Sequence, residues 1–311
     1  MAFDGFLMAA LTKELSDRLT GGHLQKISQP EQDELILAVK NNRQTWRLVL
    51  SASPSLPLIY LTDKSKTAPL TAPNFCMLLR KHLSGARICR IYQHELERVI
   101  FIEFENRNEL GDLVHRNLVI EIMGKHSNII FLDEENKIVD SIRHVSALVS
   151  SVREVLPGRT YFIPNTREKH NPFELTTELW MTELTKQPVS IAKGLCNYLT
   201  GFSFSMAQEV AYRCHLDGDD PFASCNGNQL STLLSCLRAL MEHVKNGNFE
   251  PEIVFHNGEP VEFSAFEMKR YEAEGYEHRP FESVSRMIEV FYGEKAVSYT
   301  HLRAHETLSD L

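Results

Sequence analysis

A change of hydrophobic period partway along the chain limits the fold more than any other feature. Up to about residue 145 the apolar residues recur mostly in short strand-like runs. Beyond about residue 173 they recur at helical spacing. DELILAVK and TWRLVLSA are two strand runs joined by KNNRQ as a hairpin connection, and LPLIYLT is a third. ARICRIYQ, RVIFIEFE, NLVIEIM, NIIFLD and KIVDSIRHV supply five more. In RVIFIEFE, Val99, Phe101 and Glu103 alternate with Ile100, Ile102 and Phe104. Both faces of that strand are therefore largely apolar, as in a sandwich-like core.

Helices punctuate the first part. Phe6, Leu7, Ala10, Leu11, Leu15 and Leu19 lie close to a 3.6 period, and Gly21-Gly22 stops that helix. APNFCMLLRKHLSG predicts another, between Pro73 and Gly85. The Pro-rich polar stretch LPGRTYFIPNTREKHNPF (156–173) reads as a domain boundary. After it, helices are expected over 174–185, 188–199, 203–214 and 228–245. One hairpin, EIVFHNGEPVEF, turns on Asn257-Gly258, and a further helix begins at 283. The expected class is α+β: a β-rich domain over 1–165, a helical domain with a small hairpin over 171–282, and the start of a helix over 283–296. The last residues, VSYTHLRAHETLSDL, resemble translated sequencing-adapter read-through. Residues 297–311 are therefore set aside as an artefactual tail, and the spacing of His301 and His305 is not read as a metal pair.

Composition excludes several classes. No run of about 18 uncharged apolar residues exists, so no membrane span is expected. The start carries Asp4 and no basic n-region, which reads as an amphipathic helix rather than a signal peptide. Six cysteines without a CxxC pair point to reduced, mostly buried thiols in a cytoplasmic protein. The net charge of −8 argues against a uniformly basic nucleic-acid binder. The charge is uneven, however: residues 1–170 hold 22 Lys+Arg against 20 Asp+Glu, and residues 171–311 hold 11 against 21. Local basic groups are thus the thing to inspect.

LLRKHLSGARICR holds Arg80, Lys81, His82, Arg87 and Arg90 with no acid. It reads either as a phosphate footprint or as a solvated helix end whose cations complement the dipole. EIMGKHSNIIF places Lys125 and His126 on a tight turn between two apolar runs, with Gly124, Ser127 and Asn128 beside them. A bland polar turn and an anion-meeting loop both fit, whereas a metal reading lacks a second ligand at close spacing. Arg143 and His144 end another strand. Glu97 and Arg98 precede RVIFIEF, as an internal ion pair or as groups able to read a base edge. TGFSFSMAQEVAYR has the shape of a helix-hairpin-helix, with Ser203 where a second Gly is usual. No Walker loop, dinucleotide fingerprint, GxSxG elbow or HExxH occurs. These absences favour a binding protein over an enzyme, with no cofactor.

In one order the chain carries MAFDG, GGHLQKISQP, NFCMLLRKHLSGARI, LERVIFIEF, EIMGKHSNIIF, DSIRHVS, SVREVLPGRTY and TGFSFSMAQEV. Together these resemble the NFACT family, the RqcH- and NEMF-like ribosome quality control factors whose bacterial members bear the older name fibronectin-binding protein A. The resemblance covers about residues 1–296. It implies an NFACT-N domain similar in fold to the N-terminal domain of formamidopyrimidine-DNA glycosylase, then a helix-hairpin-helix middle domain. It implies no glycosylase chemistry, because the N-terminal proline nucleophile of that enzyme has no counterpart in Met1-Ala2-Phe3. It implies binding to the large ribosomal subunit (rRNA and proteins) obstructed by peptidyl-tRNA, and recruitment of tRNA for template-free C-terminal tailing, with alanine in bacteria. The family's functional acid near the start matches Asp4, and its Asp-Arg pair matches Glu97 and Arg98, with Glu in place of Asp. The expected tRNA-facing residues are Asp4, Arg80, Lys81, Glu97, Arg98, Lys125, His126 and Arg143. The competing readings are a surface adhesin for fibronectin and, behind it, a nucleic-acid lyase on the same fold, which would need the missing N-terminal proline.

Overall fold

The computed structural model describes residues 3–164 and 168–293. The expected tail at 297–311 lies outside the described residues. The chain divides into two compact units. One is Leu11–Glu168; the other joins the described residues before it to those after it. The division falls inside helix α1 (Gly5–Leu19), whose bounds match the 3.6-period reading.

The Leu11–Glu168 unit is built on a nine-stranded antiparallel sheet. Its strands are β1 (His23–Glu31), β2 (Glu34–Asn41), β3 (Gln44–Ser51), β4 (Leu58–Thr62), β5 (Arg87–Gln93), β6 (Val99–Arg107), β7 (Leu113–Glu121), β8 (Asn128–Leu132) and β9 (Ile138–Ser141). They run in the order β4-β3-β2-β1-β5-β6-β7-β8-β9. Strand β1 meets β5 only at His23 and Arg87, so the sheet is two meanders joined at a narrow seam. Helix α2 (Asn74–Leu83) occupies the connection between β4 and β5 and buries Phe75, Cys76, Leu79 and Leu83.

Strand β6 is apolar on both faces, as its alternation requires. Val99 and Phe101 join Val119, Ile130, Leu132, Ile138, Val155 and Tyr161 in one cluster. Ile100, Ile102 and Phe104 are fully buried on the other face. Strand β1 was not separable as a run, for a physical reason. A register shift between Leu24 and Lys26 leaves Gln25 and Lys26 both exposed and breaks the period of two. Polar Ser28 and Gln29 then fill buried positions.

The other unit is helical, with a three-stranded sheet. Helices α3 (Thr177–Thr182), α4 (Ile191–Tyr198), α5 (Phe204–Arg213) and α6 (Gly227–Lys245) match the expected helical stretches, shortened at α3 by flanking 3-10 turns. Asn226 and Gln229 close a reciprocal cap at the start of α6. Strands β10 (Glu252–His256) and β11 (Glu259–Ser264) form the expected hairpin, with positive φ at Asn257 and Gly258. A third strand, β12 (Tyr276–Pro280), pairs with β10; four of its five residues are exposed or charged, which hid it. Residues 284–293 are helical. No described helix is long and apolar enough to cross a membrane. The six cysteines form no disulfide, and only Cys76 is buried; the other five are half-buried, correcting the expectation of mostly buried thiols.

Candidate nucleic-acid interface

The meander β5–β9 decides where the candidate residues go. Gln93 ends β5 and pairs with Ile100; Val99 begins β6 and pairs with Glu121; Glu121 ends β7 and pairs with Asn128. Ser141 at the end of β9 pairs with Ile130 near the start of β8. The 94–98 turn, the 123–127 turn and the segment after β9 therefore emerge at one end of the sheet. Glu97, Arg98, Lys125, His126 and Arg143 all belong to them.

The 123–127 turn is a single 3-10 turn, Gly124–His126. Gly124 has φ +57, a conformation that disfavours any residue with a Cβ. Its glycine serves the turn itself. Ser127 and Asn128, which offered side chains to an anion on sequence alone, point inward and are corrected. The Ser127 hydroxyl donates to Gly124 O (2.7 Å) and accepts from the Met123 N–H (2.9 Å). Asn128 Nδ2 donates to Arg143 O (2.9 Å), and its Oδ1 accepts from the Arg143 N–H (3.2 Å). Arg143 closes the turn from the other side. One Nη donates to Lys125 O (2.9 Å) and Ser127 O (3.2 Å), and the other to Ala52 O (2.9 Å). Its guanidinium thus holds three carbonyls. Lys125 and His126 remain exposed at the tip, on a turn fixed from below.

Glu97 and Arg98 are half-buried. Their backbone is anchored: Gln93 Nε2 donates to Glu97 O (2.8 Å), and the Ile122 N–H donates to Arg98 O (3.0 Å). That second bond ties the 94–98 turn to the strand leading into Gly124. Acids share this end. Glu95 faces His94 (3.7 Å) and Asp140 faces His144 (2.6 Å). The end is therefore mixed in charge, suited to a few directed contacts rather than to a broad basic field.

Lys81 lies elsewhere, which corrects its grouping with the turn. Arg80 Nε donates to Ile27 O (2.9 Å), bracing α2 against β1. Lys81 faces Glu109 (3.8 Å) in the β6–β7 connection, at the opposite end of the meander. A nine-residue strand separates those ends by roughly 26 Å. The Arg90 guanidinium lies over the Tyr92 ring at 4.0 Å, and Tyr92 stacks on Phe101.

Asp4 belongs to the other unit. Its Oδ1 accepts from the Leu7 N–H (2.9 Å), capping α1, and its Oδ2 accepts from the Ser203 hydroxyl (2.7 Å). Ser203 in turn accepts from the Met206 N–H (3.1 Å) and caps α5. Two helix starts thus share one carboxylate. Burial, with the Glu262 charge adding to it, pushes the Asp4 carboxyl up to about 6 against the hydrogen bonds that favour its charge. The departure from Gly at 203 supplies this cap, which already takes one of the α5 N–H groups.

Two fully buried carboxylates escaped sequence reading. Glu121 is fully buried, paired with the Arg153 guanidinium and accepting from Tyr161 OH (2.9 Å). Burial raises its carboxyl while Arg153 opposes the rise. Glu209, also fully buried, accepts from the Lys269 N–H (2.9 Å), the Arg270 N–H (3.0 Å) and Arg213 Nε (2.8 Å). The only sequence signal was the i,i+4 spacing of Glu209 and Arg213.

A chain with this architecture belongs to the NFACT family: residues 4–309 match the NFACT N-terminal and middle domains. Among its relatives, the Rqc2 homolog RqcH of Bacillus subtilis is 35% identical over 297 residues, covering 95% of this chain and 50% of that protein. Subunit 2 of the ribosome quality control complex of Saccharomyces cerevisiae is 28% identical over 177 residues, 54% of this chain and 16% of that protein. The solved N-terminal part of the fibronectin/fibrinogen-binding protein of Streptococcus suis superposes with a TM-score of 0.76 at 32% identity, covering 94% of this chain and 99% of that one. The chain spans about half the length of the Bacillus relative.

Proposed function

We propose that this chain is part of a cytoplasmic ribosome quality control factor that binds tRNA through the turn end of β5–β9. In this reading it engages the large ribosomal subunit obstructed by peptidyl-tRNA and recruits tRNA, in bacteria an alanine tRNA, for template-free tailing. It is a binding protein without a catalytic centre or cofactor of its own. The observation that carries the reading is the convergence of the family-matched Glu97 and Arg98 with Lys125 and His126 on adjoining rigid turns. Cations there hold backbone phosphate, while a half-buried carboxylate and guanidinium read the edges of unpaired anticodon bases. Arg143 positions the turn and Asp4 joins helix starts in the other unit, so neither needs to touch RNA.

The test is capture of total cellular tRNA on the folded chain, followed by sequencing. Enrichment of one anticodon family is expected. The Lys125→Ala/His126→Ala pair should weaken binding by roughly tenfold, since both groups are exposed, and leave the melting temperature unchanged. Arg98→Ala should flatten the anticodon preference. Equal retention of all tRNAs would reduce this end to a backbone contact. Absence of RNA binding together with fibronectin capture at the cell surface would favour the adhesin reading that the name of the Streptococcus suis neighbour supports.

A further inference from the structure

The opposite end of the same strands carries a second constellation. Cys89, early in β5, Glu103, midway along β6, and His115, early in β7, place one ligand atom each within 4.8 Å of one another. The strand register explains how. Ile88 pairs with Phe104 and Arg90 with Glu103, so Cys89 is an extra residue in a bulge. A bulge re-aims its side chain, here toward the neighbouring strand. Glu105 pairs with His115 and Glu103 with Asn117, so these four side chains share one face. The His115 ring stands between two carboxylates, Nδ1 at 3.3 Å from Glu103 and Nε2 at 3.6 Å from Glu105.

Two features exceed what a surface ion pair needs. One is the thiol delivered by the bulge. The other is Asn117 Oδ1, which is buried and has no hydrogen-bond partner. A buried acceptor without a donor is costly, and Asn117 lies beside Glu103 and two residues from His115 on the shared face. A donor such as a metal-bound water would satisfy it.

We propose that Cys89, Glu103 and His115 bind a borderline-soft divalent cation of the zinc class, with a water in the fourth position that donates to Asn117. Thiolate, imidazole and carboxylate together suit that cation, and three protein ligands leave one position open. Arg87, exposed, has its guanidinium 3.9 Å from Cys89 Sγ and must withdraw on loading; Arg90 is already turned onto Tyr92. An unmetallated thiol is ordinarily protonated near neutral pH. Loading breaks the S–H bond, forms the S–metal bond and passes one proton to the buffer.

The experiment is titration of the full chain with zinc chloride, and with cobalt(II) as a spectroscopic probe, at a pH where free imidazole is neutral. One equivalent should bind with release of one proton, read calorimetrically in buffers of different ionisation enthalpy. Cobalt should give a thiolate charge-transfer band in the near ultraviolet. Cys89→Ser should abolish the band, and His115→Ala should weaken binding by more than the roughly 10- to 100-fold typical of outer-shell changes. Asn117→Leu should fall within that range. Both ligand side chains are at least partly exposed, so unchanged melting of the metal-free variants is the control. A wild-type chain without the cobalt–thiolate band overturns the proposal. So does a band that persists in Cys89→Ser, which would place the ion on another cysteine.

Discussion

At the scale of single residues, Asp4 has the most measurable behaviour. A folded-state carboxyl near 6, against about 3.8 when unfolded, binds its proton more tightly in the native state. Its stabilising contribution is therefore complete below about pH 3.8 and is lost as pH rises through 6. The span is up to about 3 kcal/mol. Asp4→Asn, which keeps an acceptor for the Leu7 N–H, should remove this step. Denaturant midpoints of the two proteins at intervals from pH 4 to 7 check it: the wild type should lose stability relative to the variant across that window. Parallel curves would mean that the hydrogen bonds from Leu7 and Ser203 cancel the burial. None of this was legible in the sequence. MAFDG announced an acid before a helix, but its partner lies at Ser203, and pairing over such a distance leaves no local pattern. Lys125 and His126 were legible, because a Gly-Lys-His step between two apolar runs must turn outward. Ser127 and Asn128 were not, because the same small polar residues serve a ligand or their own backbone equally well.

At the scale of elements, the segment after β9 has little strand pairing: the bridge of Val145 with Val155 closes it on itself, and that of Lys137 with Thr160 ties it back to the start of β9. Its main anchor is the buried set Glu121, Arg153 and Tyr161. Removing one member of a buried pair leaves an uncompensated charge, which costs about 3–5 kcal/mol. Arg153→Met should show that loss in the denaturant midpoint, and adding Glu121→Gln should restore most of it. Full additivity of the two would show that they do not act as a pair. Elements themselves were read well where period and punctuation agreed, as in α1, α6 and the Asn257-Gly258 hairpin. They were missed where a bulge broke the alternation, in β1, and where exposure left no apolar face, in β12. The separation of Lys81 from the Lys125 turn is likewise a property of the meander: the order of basic motifs along the chain carries no information about which end of a strand each one meets.

At the scale of the whole molecule, the net charge of −8 and the mixed charge around the turns imply an RNA contact with few phosphates. Two or three neutralised phosphates give a slope of about −2 for log affinity against log salt, or roughly a 10- to 30-fold loss between 50 and 200 mM. A much steeper slope would point to a larger basic surface than these turns provide. The division of the chain has another outcome, for the order of synthesis. The unit begun by the first ten residues is completed only by residues from Lys169 onward. Phe3 and Phe6 have their aromatic partners at Phe263, Phe202 and Phe266. As the chain leaves the ribosome, the Leu11–Glu168 unit can close first, while the opening segment waits for partners still to be made. At 5–20 residues per second, the roughly 200–260 residues from these phenylalanines to their partners take about 10–50 s to synthesise. During that interval these two phenylalanines lack their native cover, and a nascent chain arrested there is exposed at its own start.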